Sequence, residues 1–151
     1  MKLKVKYLEN YDRSWGDLKR AKPDDSGMDL RAAIADDVCL KAGERMVIPN
    51  GICVEMESDT TDYEVQIRPR SGLAARNGLI VVNTPGTVDW GYRGELMTIL
   101  LNTGKDDFVI HAGDRISQMV VCPIVRPDIE EADALSDTER GTGRFSSTGV
   151  R

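Results

Sequence analysis

Val38-Cys-Leu-Lys-Ala-Gly-Glu-Arg-Met-Val-Ile-Pro-Asn-Gly-Ile-Cys-Val-Glu-Met-Glu57 holds three apolar runs and two turn signals in one short stretch. Val38 to Leu40, Arg45 to Ile48 and Ile52 to Glu57 are shorter than an ordinary helix. The last alternates, with Ile52, Val54 and Met56 on one side and Cys53, Glu55 and Glu57 on the other, which is the period of a half-buried strand. Ala42-Gly43 and Pro49-Asn-Gly51 are turn chemistry, because glycine takes positive φ freely and proline presets φ. Three strands with turns between them read as antiparallel β-structure.

The same pattern continues in both directions. Upstream, Lys2 to Leu8 alternates, with Leu3, Val5 and Tyr7 on one face, and Met28 to Ile34 reads as a strand. Downstream, Tyr63 to Arg68, Leu79 to Val82, Glu95 to Leu101, Phe108 to Ile110 and Ile116 to Val125 do the same. They are broken at Asp36-Asp37, Pro85-Gly86, Asn102-Thr-Gly104 and Ala112-Gly-Asp114. Many short strands at this spacing make an all-β sandwich, jelly roll or barrel. Ser71-Gly-Leu-Ala-Ala-Arg-Asn-Gly78 is the one helical stretch, with Ser71 suited to cap its start and Gly78 to stop it. Lys41-Ala-Gly-Glu-Arg-Met46 and His111-Ala-Gly-Asp-Arg-Ile116 echo each other. Two readings stand: hairpins converging on one turn chemistry, or pseudo-symmetric halves of a double-sheet fold.

Glu9 to Ser26 is polar, with a turn at Pro23-Asp-Asp-Ser-Gly27. After Val125 the character changes, from an acidic segment to Arg140-Gly-Thr-Gly-Arg-Phe-Ser-Ser-Thr-Gly149. Residues 1–125 therefore read as the β-domain and 126–151 as a flexible C-terminal arm, too polar to order by burial.

Composition narrows the function. Aromatic residues are 5% of the chain, so Val, Ile, Leu and Met must fill the core, and a net charge of −5 opposes non-specific binding to nucleic acid. One histidine, His111, and three dispersed cysteines (Cys39, Cys53, Cys122) exclude a zinc site of the usual kind. The cysteine settings favour reduced thiols in a cytoplasmic compartment. No apolar stretch reads as a signal peptide or membrane span.

Five stretches carry chemistry. Arg68-Pro-Arg-Ser-Gly-Leu73 sets two cations and a hydroxyl at a helix start, where an anion would be favoured; solvated arginines beside a capped helix explain it equally. In Asn83-Thr-Pro-Gly-Thr-Val-Asp-Trp-Gly-Tyr-Arg-Gly-Glu95, glycines let a hairpin backbone approach a ligand. Its edge donors and acceptors can imitate base pairing, Asp89 beside Val88 and Trp90 could be tuned as a general base, and the Tyr92 ring could lie on a sugar or base. An exposed turn with one carboxylate is the plainer alternative. Gly113-Asp-Arg-Ile-Ser-Gln118 offers Gln118 to a phosphate, while Asp114 and Arg115 are expected to pair and hold the turn. In Ser26-Gly-Met-Asp-Leu-Arg31, Asp29 points opposite to Met28 and Leu30, towards an arginine or a metal's water. The arm combines Arg140, glycines, hydroxyls and Phe145, the parts of a lid, and plain disorder fits it as well.

In order, from Ser26 to Gly149, these stretches resemble the five motifs of the homotrimeric dUTPases. Gly86-Thr-Val-Asp-Trp-Gly-Tyr-Arg-Gly94 matches the family's Gly-x-x-Asp-x-x-Tyr-x-Gly, and Pro69-Arg-Ser-Gly-Leu73 stands intact. The resemblance implies a double-sheet, jelly-roll-like β-barrel that hydrolyses dUTP to dUMP and pyrophosphate, lowering dUTP and supplying dUMP for thymidylate synthesis. It implies that Asp89 activates the attacking water, that Asn83, Gly86, Tyr92 and Phe145 hold the nucleoside, and that Arg70, Ser71, Gly72, Gln118, Arg140, Ser147 and Thr148 hold the phosphates. Asp29 would support the arginine network and the Mg2+, which the triphosphate and water hold without direct protein ligands. It further implies a homotrimer with shared active sites and the arm reaching over a neighbour. Arg144 and Ser146 depart from the family's usual glycines beside Phe145. The nearest rival is a dCTP deaminase or its bifunctional dCTP deaminase/dUTPase form, which Tyr92 and the arm disfavour. A nucleotide-binding regulatory β-module without activity is the rival from another class.

Overall fold

The computed structural model describes residues 1–144. The alternating and apolar runs form strands β1 (Lys2–Tyr7), β2 (Met28–Arg31), β3 (Val38–Leu40), β4 (Arg45–Pro49), β5 (Ile52–Glu57) and β6 (Tyr63–Arg68). Helix α1 (Ser71–Asn77) follows, then β7 (Leu79–Val81), β8 (Gly86–Val88), β9 (Met97–Asn102), β10 (Phe108–Ile110) and β11 (Arg115–Pro123). Every pairing is antiparallel. The sheets run β2-β11-β6-β8, β4-β9-β7, β1-β5 and β10-β3. The architecture is the all-β, double-sheet, jelly-roll-like one that the sequence implied.

Leu, Ile, Val and Met fill the core. Leu30, Leu40, Ile48, Ile52, Val65, Leu79, Leu96, Leu100, Ile110, Ile116 and Met119 are each at most 2% exposed. A buried polar chain crosses this apolar mass. The Thr98 hydroxyl donates to Asn50 Oδ1 at 3.0 Å and lies 2.7 Å from Ser117 Oγ, while Asn50 Nδ2 donates to the Arg31 carbonyl at 2.9 Å. A bulge between Arg115 and Ser117 makes this reach available, because it breaks the alternation and turns both Ile116 and Ser117 inward. Thr98→Val keeps the volume but strands the polar atoms of Asn50 and Ser117. It is expected to cost about 1–3 kcal/mol for each group left unpaired, read as a fall in the urea midpoint with an unchanged m-value.

Several elements differ from the sequence expectations, each for a local reason. β2 stops at Arg31 instead of Ile34 because the Ala32 N–H donates to the Asp114 carbonyl and the Ala32 carbonyl accepts from Gly113, so the chain pairs with a turn there. β9 begins at Met97, since the Leu96 backbone bonds elsewhere, its N–H donating to the Ile52 carbonyl at 2.8 Å and its carbonyl accepting from Asn50 N–H at 3.0 Å. β11 ends at Pro123, which has no N–H for the ladder. The polar stretch after β1 contains a 3-10 turn, Arg13–Trp15. There Tyr11, 7% exposed, packs at 4.8 Å from the Tyr7 ring and 5.2 Å from that of Trp15.

The two echoing turns are alike, with Gly43 at φ 80° and Gly113 at φ 81°. They are not hairpins. β3 and β4 lie in different sheets, as do β10 and β11, so each turn is a corner between sheets. The two units meet instead through the antiparallel pair β3–β10, an arrangement with local twofold character that favours the pseudo-symmetric reading. At the second corner His111 Nδ1 lies 2.7 Å from Asp37 Oδ2, and the hydrogen bond to that carboxylate raises the imidazole pKa.

Candidate active site

β8 was not foreseen as a strand, because its glycine and its neighbours Pro85 and Asn83 spell a turn. It forms by pairing with β6, Val65 against Val88 and Ile67 against Gly86. The run from Asn83 to Glu95 is therefore not a hairpin: its one strand pairs with a distant partner. β8 ends the order β2-β11-β6-β8, so among the described residues its outer edge keeps free backbone donors and acceptors. The edge expected for base recognition survives although the hairpin does not.

Asn83, Gly86, Asp89 and Tyr92 line one cavity of about 240 Å3, walled by Ile67, Val88 and side chains of the second sheet. Gly86 is held close to Asn83, where a Cβ would come within 3.0 Å of Nδ2. A tight turn follows, with Tyr92 N–H donating to the Asp89 carbonyl at 3.1 Å and the Tyr92 hydroxyl to the Glu95 carbonyl at 2.9 Å. Gly94 has no Cβ because the Tyr92 ring fills that place. Asp89 is exposed instead of sheltered by its apolar neighbours. Its carboxylate has no hydrogen-bond partner among the described residues, which leaves both oxygens available to a water.

A second cavity, of about 460 Å3, collects Asp29, Arg70, Ser71, Gly72 and Gln118. Sheet register assembles it. Gln118 on β11 stands opposite Asp29 on β2 and opposite Arg68 on β6, whose end feeds Arg70 into α1. The β2 alternation buries Met28 and Leu30 and turns Asp29 outward, as expected. Asp29 binds two cations, with Arg70 Nε at 2.8 Å and Arg115 Nη1 at 3.3 Å, and Arg70 Nη1 donates to the Arg115 carbonyl at 3.0 Å. Gln118 Nε2 donates to the Pro69 carbonyl at 2.9 Å, and its carboxamide fills the space where Gly27 lacks a Cβ.

Two expectations change here. Ser71 is the first residue of the helix, not its cap. Arg70 holds that position and makes no side-chain capping bond, since a guanidinium has only donors and cannot accept from the helix's free N–H groups. The expected C-terminal stop is present, with Gly78 left-handed at φ 70°. Arg115 does not pair with Asp114. It turns to Asp29, while the Asp114 carboxylate accepts from His111 N–H at 2.9 Å. Arg115, Arg76 and Gly27 are thus residues of this cavity that the sequence reading did not assign to it. The pairing that reveals Arg115 spans most of the chain and has no local signature.

The two cavities share no lining residue. Arg140 lies apart from both on an exposed turn, where its Nε donates to the Gly143 carbonyl at 3.3 Å. Phe145, Ser147 and Thr148, like Ser146, lie outside the described residues. Among the described residues no group of three or more His, Cys, Asp and Glu side chains is placed to hold a metal ion, and no helix is long and apolar enough to cross a membrane.

The family profile described as dUTPase matches residues 13–149. The deoxyuridine 5'-triphosphate nucleotidohydrolase of Rickettsia bellii (strain OSU 85-389) is 50% identical over 149 residues, covering 98% of this chain and 95% of the relative. Among solved structures, a mutant dUTPase of Staphylococcus bacteriophage 80alpha with dUpNHpp superposes at a TM-score of 0.79, with 25% identity over 99% of each chain. A mutant dUTPase from phage phi11 of S. aureus, described for its coordination of a structural Mg(II) ion, shares the fold. Its TM-score is 0.75, with 22% identity over 91% of this chain and 100% of that one.

Proposed function

Since the chain belongs to the dUTPase family, we propose that it hydrolyses dUTP to dUMP and pyrophosphate, with Asp89 as general base. The observation that carries this reading is the open edge of β8, with Asn83 before it and Asp89 after it, facing one apolar cavity. Uracil pairs with that edge and Asn83, and the Tyr92 ring lies on deoxyribose, where a ribose hydroxyl would clash. Cytosine would set its amino group against a backbone donor, leaving both unpaired at about 1–3 kcal/mol per group. Asp89 takes a proton from water as the water oxygen bonds to the α-phosphorus; the bond to the bridging oxygen breaks, and pyrophosphate leaves with its electrons.

Arg70, Ser71, Gly72 and Gln118 hold the phosphates. Asp29 positions them by fixing the Arg70 guanidinium from below, a bidentate geometry suited to keeping a cation aimed. This cavity fits a magnesium ion that arrives with the triphosphate, because its two carboxylates, Asp25 and Asp29, are hard oxygen groups beside the residues assigned to the phosphates. Asp25 and Asp29 would face its water shell. When bound, magnesium supplies charge neutralisation along the phosphates.

The active unit is a homotrimer. A cavity of about 240 Å3 lies below the roughly 300–1,000 Å3 usual for small-molecule sites, so the nucleoside half holds only part of a nucleotide. Its wall includes Val47, Met97 and Ile99 from the outer face of β4-β9-β7. That face is apolar, and Val47, Val82 and Met97 stand 57%, 43% and 42% exposed. Such a surface calls for a partner, and a second copy of the chain seated beside it would close the cavity and present its own phosphate half. The arm from residue 126 onward, tied at its root by Arg126 to Asp62 at 2.8 Å, then serves as the lid. Arg140, Phe145, Ser147 and Thr148 would reach a neighbour's site. Cys39, Cys53 and Cys122 are free thiols, which supports a cytoplasmic location.

The test offers dUTP, dCTP, dTTP and UTP with magnesium and measures pyrophosphate and ammonia separately. Pyrophosphate from dUTP, with little from the others and no ammonia, is expected. Ammonia from dCTP would replace this reading with a deaminase.

A further inference from the structure

Three arginines line the phosphate cavity, Arg70, Arg76 and Arg115, and they are not equally engaged. Arg70 and Arg115 both donate to Asp29, and Arg70 also to a backbone carbonyl. Arg76 makes no ion pair or side-chain hydrogen bond among the described residues. It stands one helical turn beyond Gly72, and helical side chains lean towards the N-terminus, which brings its guanidinium back over that glycine. A Cβ on Gly72 would sit 2.9 Å from Nη2 and 3.2 Å from Nη1 of Arg76. The guanidinium is therefore stored against the very backbone that the cavity presents to a ligand.

Charge gives this placement a purpose. Two carboxylates, Asp25 and Asp29, and three guanidiniums line the cavity. Without Arg76 the lining is neutral, a poor host for a triphosphate. With it the cavity is cationic, and the excess charge is the one that no carboxylate holds. A guanidinium without a partner can turn to a phosphate oxygen and give two parallel N–H donors without first breaking an ion pair.

We propose that Arg76 is a phosphate-binding residue of this site, the cation that turns from Gly72 to the triphosphate on binding. The proposal rests on the reading of this cavity as the triphosphate site.

Calorimetric titration of the trimeric protein with α,β-imido-dUTP and magnesium, beside deoxyuridine, tests it. Arg76→Gln is expected to weaken the imido triphosphate about ten-fold or more and to leave deoxyuridine affinity unchanged. Arg76→Lys should recover part of the loss. A purely structural role for Arg76 would weaken both ligands together or lower the melting temperature. Equal affinity of the Arg76→Gln and unaltered proteins for the imido triphosphate would overturn the role of Arg76 alone. Failure of the unaltered protein to bind the imido triphosphate would overturn the triphosphate site and this proposal with it.

Discussion

Asp89→Asn is expected to leave dUTP bound and to lower kcat by about 10²–10⁴-fold, the usual contribution of a general base. The amide keeps the size of the carboxylate but cannot accept the proton of the attacking water. Binding should survive because uracil recognition is assigned to Asn83 and the β8 edge, and the phosphates to a separate cavity. Stability should survive too. Asp89 is exposed and its carboxylate has no hydrogen bond or ion pair to lose among the described residues, and substitutions at such positions usually stay within about 0.5 kcal/mol. Single-turnover rates together with titration of α,β-imido-dUTP separate the two effects. A variant that turns over at the unaltered rate would remove Asp89 from the chemistry. One that binds no nucleotide would assign Asp89 to substrate binding instead.

That experiment is pointed because the sequence alone left Asp89 between a catalyst and an ordinary surface turn. Its setting could be read only in part. Local pattern served well where one strand carries its own signal: Ile52–Glu57, Tyr63–Arg68 and Phe108–Ile110 have the bounds read from alternation and turn residues. Local pattern failed at Gly86–Val88, whose residues favour a turn and whose strand exists because β6 supplies a ladder from elsewhere in the chain. It failed again at Arg115, where a sequence neighbour, Asp114, seemed the natural partner. Folding brings Asp29 from β2 alongside β11, and a carboxylate shared with Arg70 outcompetes the adjacent one.

The corner turns teach the same lesson from the other side. Lys41-Ala-Gly-Glu44 and His111-Ala-Gly-Asp114 spell one turn correctly, glycine conformation included. Turn chemistry says how the chain reverses and nothing about which strands then pair. Motif resemblance supplied what pattern could not, because five short stretches in order implied a shared site before any contact was visible. Geometry adds a fact of its own: within one chain the four stretches that lie wholly in the described residues divide between two cavities.

That division leads to the second large effect, which concerns mixtures of chains. Asp89→Asn removes the general base that stands in the nucleoside half and leaves the phosphate half intact; Arg70→Ala damages the phosphate half and leaves Asp89 in place. Each variant alone is expected to be nearly inactive, Arg70→Ala because it also strands Asp29 without its closest cation. If each working site joins the nucleoside half of one copy to the phosphate half of its neighbour, random reassembly of equal amounts in a closed ring should restore about a quarter of the sites. Such a site needs one intact Asp89 and, across the interface, one intact Arg70, and each is present half the time. Activity is measured after the two variants are dissociated together, allowed to reassemble, and compared with each variant treated alone. Mixtures no more active than their components would mean that each chain completes its own site. The apolar face bearing Val47, Val82 and Met97 would then need another occupant, because closing the nucleoside cavity is the role that binds that surface to catalysis.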